Sequence, residues 1–401
     1  MNLTLFEKKW WLYFCFFISL RPSYLVNFSF LENILNIGLI IASIIIVLSI
    51  FVQKTKVNSF SFIVLAYLLL KFLSTFINDN FNFSVLATPF RDFILVAFII
   101  LIINKSAENY ERILRCLTNV CVLLSSINII TMLTFQSGII QRYTHRDTIR
   151  EMWFLGSKNP SIRFLFFTLV LILLSSIIFK KKLSLSNYLL IFCSFISSII
   201  VSSATGILVI ATLILFFVFI DKIKINIIFN TTFFFIAGFL VTILIYQFKL
   251  TYYFEFLIVN LLQRNLTMTG RLVIWERSIS NISENFFLGT GLMSSWDNFL
   301  ILRASHPHNL YLYIFFTGGI IGMLFFIFII IKSTCLYNMN SNLKVSIFST
   351  GVIGLILLNG ISESLTSTPL LFPIILILYN SPWYINEVKR KKLLNEIKKS
   401  I

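Results

Sequence analysis

The stretch SHPHNLYLYIFFTGGIIGMLFFIFIII, residues 305–331, joins a polar, histidine-bearing segment to an apolar run long enough to cross a membrane. It closes the longest part of the chain that is too polar for bilayer hydrocarbon, residues 249–308. A second apolar run, residues 227–248, precedes that part. Two of the three histidines of the chain, His306 and His308, lie at this junction. The pattern predicts a polar surface held between two membrane-spanning helices.

Composition excludes a soluble domain. Of 401 residues 58% are hydrophobic and only 12% are charged, with a mean hydropathy of +0.90. Apolar runs in lipid must be helices, because lipid offers no hydrogen bonds to the backbone. We predict an all-α, polytopic integral membrane protein with about 12 transmembrane helices and a large external loop that carries short amphipathic helices. The predicted spans are 10–27 (interrupted at Arg21-Pro22), 35–53, 58–77, 83–104, 115–136, 162–179, 186–202, 205–220, 227–248, 309–331, 344–360 and 367–380.

The loops and the lysines give the domain organisation and the orientation. Residues 1–248 form an N-terminal bundle with an external loop at 137–161, and residues 105–114 are polar enough to lie at the surface. Residues 249–308 form the large external loop, and residues 309–401 form three spans and a basic tail. Alternate counting places seventeen of the twenty lysines on the side of both termini, which is therefore expected to be cytoplasmic. The net charge of +17 thus reflects topology, and no nucleic-acid partner is expected.

Arginine shows the opposite distribution. Ten of the thirteen arginines fall in predicted external loops or within spans, where topology alone would deplete them. The planar guanidinium binds phosphate or carboxylate through two parallel hydrogen bonds, so an arginine-lined external face indicates an anionic ligand. The other reading is that some of these arginines pair with nearby carboxylates. The ten are Arg21, Arg91, Arg142, Arg146, Arg150, Arg163, Arg264, Arg271, Arg277 and Arg303.

The polar segment contains one amphipathic helix. Leu272, Trp275, Ile279 and Ile282 recur at helical spacing after Gly270-Arg271, and Thr269 is a suitable N-cap. We expect this helix to lie along the outer leaflet with Trp275 at headgroup depth. Arg271 then lies in the first turn, where the helix dipole disfavours a cation, so an outside partner is expected.

His306 and His308 suit proton transfer near neutral pH. Because one residue separates them, they cannot share a helical face, and no third ligand is evident beyond a distant His145, so no metal site is predicted. For His306 we favour an interfacial, helix-capping role, and for His308 a functional one. Gly289-Thr290-Gly291 is read as a loop, and Arg91-Asp92 as a pair of mutually neutralising charges within a span, where Lys71 also needs a partner.

The order of these features resembles the O-antigen polymerase and O-antigen ligase family of bacterial inner-membrane proteins. The matching residues are Gly270-Arg271 with Trp275, then Asn285 to Gly291, then His308-Asn309-Leu310-Tyr311-Leu312 and Gly319-Ile320-Ile321-Gly322. Family members often have Ser-Arg-Gly at the start of a middle span, whereas Ser203-Ala204-Thr205-Gly206 lacks the arginine here. His306 also lies outside the family pattern.

The resemblance implies a metal-independent glycosyltransferase without cofactors on the outer face of the inner membrane. Its donor would be a glycan linked to undecaprenyl diphosphate, with the lipid bilayer and a chain-length regulator or flippase of the same pathway as further partners. We expect an O-antigen or surface polysaccharide polymerase. The alternatives are an O-antigen ligase that uses lipid A core as acceptor and, from another class, a lipid-linked sugar or solute transporter. The expected catalytic residues are His308 and Arg271, and the expected substrate-binding residues are Arg264, Arg142, Arg146, Arg163, Trp275 and Asn309. Because related membrane glycosyltransferases often use a carboxylate base, the resemblance also makes Asp297 and Glu276 rival candidates for the base.

Overall fold

The computed structural model describes nine parts of the chain, which are residues 9–53, 57–78, 83–103, 106–143, 149–223, 230–247, 270–338, 343–365 and 369–400. Fourteen α-helices occur in these parts. They are α1 (Lys9–Leu20), α2 (Ser29–Gln53), α3 (Ser59–Ile77), α4 (Phe83–Ile103), α5 (Ala107–Thr134), α6 (Lys158–Phe179), α7 (Leu185–Ile200), α8 (Ala204–Phe219), α9 (Thr231–Gln247), α10 (Arg271–Glu284), α11 (Ser295–Leu302), α12 (Leu310–Asn338), α13 (Leu343–Asn359) and α14 (Leu371–Ser400).

The helical membrane architecture is confirmed, and each predicted span overlaps one helix. Six helices are long and apolar enough to cross a membrane by length and composition, namely α2, α3, α5, α6, α8 with the turn that follows it, and α12. Four further apolar helices are shorter, with 10 to 17 residues each. The figure of about 12 spans therefore stays a prediction. The most completely buried of the six is α6, which packs against α5, α8 and α13 in the middle of the bundle.

Two sequence-based expectations need correction, and one is confirmed. Residues 107–114 are the first turns of α5, which begins at the N-cap Ser106, and not a separate surface segment. The interruption predicted at Arg21-Pro22 is confirmed, because α1 ends at Leu20 and proline restricts the residue before it to extended backbone. The C-terminal helix α14 continues past the predicted end of its span through the basic tail.

The loop at 137–161, which is predicted to be external, is not wholly irregular. It contains a three-stranded antiparallel sheet in the order β1 (Ile140–Tyr143), β2 (Ile149–Trp153) and β3 (Gly156–Ser157). Trp153 anchors the sheet to the bundle, because its indole nitrogen donates to the carbonyl of Phe135 at 2.8 Å and its ring is buried. The sheet therefore lies over the N-terminal end of α6, which begins directly after β3.

The amphipathic helix is confirmed as α10, but its environment differs from the expectation. Its buried face consists of Ile274, Trp275, Ser278 and Ile282, and it packs mainly against α12. Trp275 is fully buried, so its ring contacts protein and not lipid headgroups. The residue before the helix is Gly270, in a left-handed conformation, and Thr269 lies outside the described residues.

A break in α12 receives the turn Gly289-Thr290-Gly291. Gly319 has φ 61° and ψ −161°, which interrupts the helix and leaves backbone groups for other partners. Thr290 donates its backbone N–H to the Phe316 carbonyl at 2.8 Å, and Ile320 donates to Phe286 at 2.9 Å. On the other side, the Ser74 hydroxyl of α3 donates to the Leu288 carbonyl at 2.6 Å. The turn thus connects α3 to α12, which makes it an architectural element.

We predict that Gly319→Ala destabilises the protein and that Gly318→Ala does not. A Cβ at Gly319 would lie 2.2 Å from the Phe287 carbonyl oxygen, in a backbone conformation that costs about 1–3 kcal/mol for other residues. At Gly318 a Cβ meets nothing within 4 Å. Thermal unfolding of the purified protein in detergent measures both variants. Equal midpoints for the two would show that the break in α12 is not required.

Candidate functional site

The site is organised around one buried carboxylate, Glu363, in the loop between α13 and α14. Its side chain is 3% exposed. Oε1 accepts a hydrogen bond from Asn159 at 2.8 Å and one from Arg271 Nη2 at 3.1 Å, and Oε2 lies 3.6 Å from Arg163 Nη1. The carboxylate therefore links the first turns of α6 and α10.

The start of α12 fixes the geometry of this loop. The Asn309 side chain donates to the Ile361 carbonyl at 2.9 Å and accepts from the Leu312 backbone N–H at 3.0 Å, which caps the helix. The Leu310 backbone N–H donates to the Gly360 carbonyl at 2.6 Å. Asn309 is fully buried, so the structure gives it a role in holding the loop of Glu363 and no exposure to a ligand.

The two histidines lie against each other beside this loop. Their ring centroids are 4.0 Å apart, and Nδ1 of His306 accepts the backbone N–H of His308 at 3.2 Å. The same nitrogen lies 2.7 Å from the Ser364 hydroxyl, which therefore donates to it. His308 has φ 53°, an uncommon value for a residue other than glycine. His306 thus uses its acceptor nitrogen to hold His308 in a strained turn.

Burial lowers the pKa of His306 well below its usual range, and the nearby His308, Arg163, Arg150 and Arg271 lower it further. His306 is therefore neutral at pH 7, which agrees with an Nδ1 that accepts hydrogen bonds. A histidine whose pKa is lower in the folded state than in the unfolded state destabilises the fold as the pH falls below about 6.5. Protonation of His306 at lower pH is therefore expected to destabilise the fold.

A cavity of about 720 Å³ opens in front of these residues, and we call it the histidine cavity. This volume falls in the range of small-molecule sites. His306, His308 and Ser305 line it, as do Asn159 and several charged side chains. Among the described residues, its charged lining consists of Arg142, Arg150, Lys158, Arg163, Arg271, Glu151 and Glu363.

The sheet contributes two arginines to the histidine cavity. Arg142 of β1 and Arg150 of β2 are directly opposite each other in the antiparallel register. Arg142 also donates to the side chain of Asn27. Like charges directly across a strand pair destabilise a sheet unless an anion compensates them. This pair is therefore an unusual arrangement for a purely structural hairpin.

A second cavity of about 620 Å³ adjoins the first, and we call it the lysine cavity. Arg150, Arg163 and His306 line both cavities and form the wall between them. Deeper in the bundle the lysine cavity is lined by Lys71 of α3, Asp92 of α4 and Tyr313 of α12. Arg21 and Arg91 also line it.

The predicted site residues divide into three groups. Arg142, Arg163, Arg271 and His308 line the histidine cavity together. Trp275 and Asn309 are fully buried and line neither cavity, so their predicted contact with substrate has no support in the geometry. Arg146 and Arg264 lie outside the described residues, as does His145.

The partner of Arg271 is internal and not external as its position in α10 suggested, because Glu363 compensates it. The rival bases Asp297 and Glu276 line neither cavity. Asp297 instead accepts from the Ser294 hydroxyl at 2.6 Å, at the start of α11. The pairing of Arg91 with Asp92 is present but loose, with 3.9 Å between Nε and Oδ1.

Sequence reasoning missed Glu363, Arg150 and the contribution of Lys71. Glu363 stands in ISES, residues 361–364, and is the single charged residue between the runs 345–360 and 365–385. A carboxylate that is isolated between two apolar runs is costly without a partner, and this was the available signal. No spacing rule connects it to Arg163 or Arg271, which are 200 and 92 residues away.

The fold and the site define a polytopic helical membrane protein with an arginine-lined cavity. Residues 189–327 match the family model described as O-antigen ligase, which confirms the resemblance to the O-antigen ligase and polymerase family over this part of the chain. Members of this family are glycosyltransferase-like enzymes. No curated protein matches the chain.

The segment Ser203 to Gly206, which lacks the family's arginine, nevertheless lies beside the same network. Ser203, Thr205 and Gly206 line a small cleft together with Arg163 and Glu363. A guanidinium is thus present next to this segment, but it comes from α6. The departure from the family pattern therefore does not leave this position without an arginine.

We predict that Glu363→Gln lowers the thermal unfolding midpoint by several degrees. The change leaves Arg163, a buried cation, without its carboxylate, and breaking a buried ion pair costs about 3–5 kcal/mol. Glu151→Gln is the control, because Glu151 is an exposed carboxylate at the same cavity. The double change Arg163→Met with Glu363→Met should restore part of the loss. An unchanged midpoint for Glu363→Gln would contradict the role given to this carboxylate.

Proposed function

We propose that the protein is a surface polysaccharide polymerase that joins glycan repeat units carried on undecaprenyl diphosphate. The observation that supports this best is the Arg142–Arg150 cross-strand pair, which lines the histidine cavity together with Arg271 and His308. Diphosphate carries the charge and the acceptor oxygens that guanidinium groups bind in pairs of hydrogen bonds. A diphosphate-linked donor would therefore remove the repulsion between the two strands.

The charge balance of the cavity supports an anionic ligand over a neutral one. Glu363 compensates Arg163 and Arg271, and Glu151 is the other carboxylate of the described lining. Arg142, Arg150 and Lys158 therefore give the cavity an excess of positive charge. A lipid-linked diphosphate would reach the cavity if the cavity opens at the headgroup region, because the lipid holds the diphosphate there.

The chemistry follows from these positions. The acceptor hydroxyl attacks the anomeric carbon of the donor sugar, the bond from that carbon to the diphosphate oxygen breaks, and undecaprenyl diphosphate leaves. His308 acts as the general base and takes the proton of the acceptor hydroxyl. A positioned base typically raises the reaction rate by a factor of about 10²–10⁴. Arg271, Arg142 and Arg150 stabilise the charge that develops on the leaving diphosphate. His306 is a positioning residue for His308.

The cellular setting is part of the same proposal. The site would face the outer side of the bacterial inner membrane, with both termini in the cytoplasm, and Arg146 and Arg264 would add to the anion-binding face. The sheet, the loop before α10 and the loop of Glu363 all belong to the side that alternate counting predicts to be external. A flippase and a chain-length regulator would act before and together with the enzyme, and no nucleotide sugar is required.

The ligase alternative is favoured by one specific observation, the description of the matching family model as O-antigen ligase. In that reaction the donor site is the same, and the acceptor is the sugar of a lipid A core. The polymerase is preferred because two joined cavities of similar size suit two lipid-linked substrates of the same kind.

Deletion of the gene separates the two functions in the native host. We expect the surface polysaccharide on a gel to collapse to single repeat units attached to the lipid core, because ligation continues without polymerisation. Polymer stranded on undecaprenyl diphosphate would instead identify a ligase. An unchanged polysaccharide pattern would contradict both.

We predict that His308→Gln abolishes detectable chain extension and that His306→Asn keeps most of it. Glutamine at position 308 preserves polar contacts but cannot accept a proton at neutral pH. Asparagine at position 306 supplies a carbonyl oxygen near the place of Nδ1, which can still accept the His308 backbone N–H. Polysaccharide chain length is measured at matched protein abundance. Full-length chains with His308→Gln would show that His308 is not the base.

A further inference from the structure

The lysine cavity contains a buried cation that protein groups compensate poorly. Lys71 is 5% exposed, and its Nζ lies 4.9 Å from the ring centroid of Tyr67 and 5.7 Å from those of Tyr313 and Phe372. Within the described parts of the chain, Nζ makes no ion pair or hydrogen bond. Aromatic rings lower the cost of burying an ammonium group but do not neutralise it.

The neighbouring charges do not remove the excess. Nε of Arg91 is 3.9 Å from Oδ1 of Asp92, too far for a hydrogen bond, and neither atom has a hydrogen-bond partner among the described residues. Arg21 donates to the neutral side chain of Asn36 at 2.8 Å. Asp92, which attracts Lys71 electrostatically, is thus the single carboxylate in the described lining of a cavity that Arg21, Lys71, Arg91 and Arg150 also line. Arg163 lines this cavity too, but Glu363 compensates its charge.

Such an arrangement is costly within a membrane protein unless an anion enters. Charged side chains at membrane depth are retained where they contact a substrate or an ion pathway. The available space, about 620 Å³, accommodates a headgroup. Because Arg150, Arg163 and His306 form the shared wall, a molecule held here lies next to the base and to a donor in the histidine cavity.

We propose that the lysine cavity binds the phosphate or diphosphate group of the acceptor lipid, and that Lys71 and Arg91 are its anion-binding groups. This inference rests on the proposed function, because it divides the two cavities between donor and acceptor. Two kinds of lipid present this chemistry at the membrane surface, a second undecaprenyl diphosphate or a phosphorylated lipid A core. Undecaprenyl diphosphate fits a polymerase, and lipid A core fits a ligase.

Native mass spectrometry of the purified protein tests the assignment without any need for turnover. Undecaprenyl diphosphate and phosphorylated lipid A are added separately, and the number of bound lipids per chain is counted. The wild-type chain should bind two molecules of undecaprenyl diphosphate. Lys71→Met keeps a long unbranched side chain and removes the charge, so this variant should bind one molecule, with affinity at the second site reduced about 10- to 100-fold.

Two further variants make the result specific. Lys222→Met is the matched control, because Lys222 also lies over an aromatic ring, that of Phe219 at 5.5 Å, but lines neither cavity. It should bind two lipids, as should Lys71→Arg, which keeps a cation. If Lys71→Met instead loses binding of phosphorylated lipid A and keeps its binding of undecaprenyl diphosphate, the anion site is supported and its ligand is the acceptor of a ligase.

The proposal is overturned if the wild-type chain binds neither lipid at a second site, or if Lys71→Met binds the same number as the wild type. These outcomes leave the proposed function standing, because the donor site is counted separately. A failure of the proposed function would appear in the polysaccharide gel, with lipid binding at the lysine cavity unaffected.

Discussion

The buried carboxylate of Glu363 holds together segments that are far apart in sequence. It contacts Asn159 and Arg163 at the start of α6 and Arg271 at the start of α10. Ser364, the next residue, bonds to His306, and Arg163 donates to the Ser364 carbonyl at 3.2 Å. A single short loop thus fixes both the arginines and the histidine pair. A buried ion pair of this kind contributes little net stability, but loss of one partner is costly.

The membrane environment explains why so many hydrogen bonds join the irregular segments around this loop to the helices. Backbone groups without partners are expensive in lipid, so irregular segments must bond to other parts of the protein. The start of α12 bonds to the loop through Asn309 and Leu310, and the break at Gly319 bonds to the segment that follows α10. The motifs shared with the family therefore have two kinds of role. His308 and Arg271 face a cavity, whereas Asn309, Trp275 and Gly289 to Gly291 keep the surrounding helices in place.

Local patterns in the sequence were sufficient for much of the fold. Hydropathy located a helix at every predicted span, and the spacing of apolar residues after Gly270 predicted α10. The excess of arginine over lysine in the loops predicted to be external led to the prediction of an anion site, and four of the eight predicted residues line one cavity. The strands of the 137–161 loop were not predicted. Successive residues at the start of β2 are all exposed, so the alternation of apolar and polar residues that marks a half-buried strand is missing there.

The sequence could not show which side chains far apart in the chain contact each other in the fold. Charge pattern alone placed an external partner beside Arg271, because the carboxylate that compensates it is 92 residues away. Trp275 was assigned to the membrane surface, since amphipathicity shows which face is apolar but not whether protein or lipid covers it. The Arg91–Asp92 pair was treated as structural, and Lys71 was expected only to need a partner, because only the fold shows that they line a cavity adjoining the histidines.

The most direct measurement of the central claim is a cryo-electron microscopy structure of the protein with an undecaprenyl-diphosphate-linked repeat unit. We expect diphosphate density in the histidine cavity, within hydrogen-bond distance of Arg271 and Arg150. The anomeric carbon should lie on the side of His308, and the Arg163–Glu363 pair should be intact. Diphosphate bound elsewhere on the protein, with the histidine cavity empty, would contradict it.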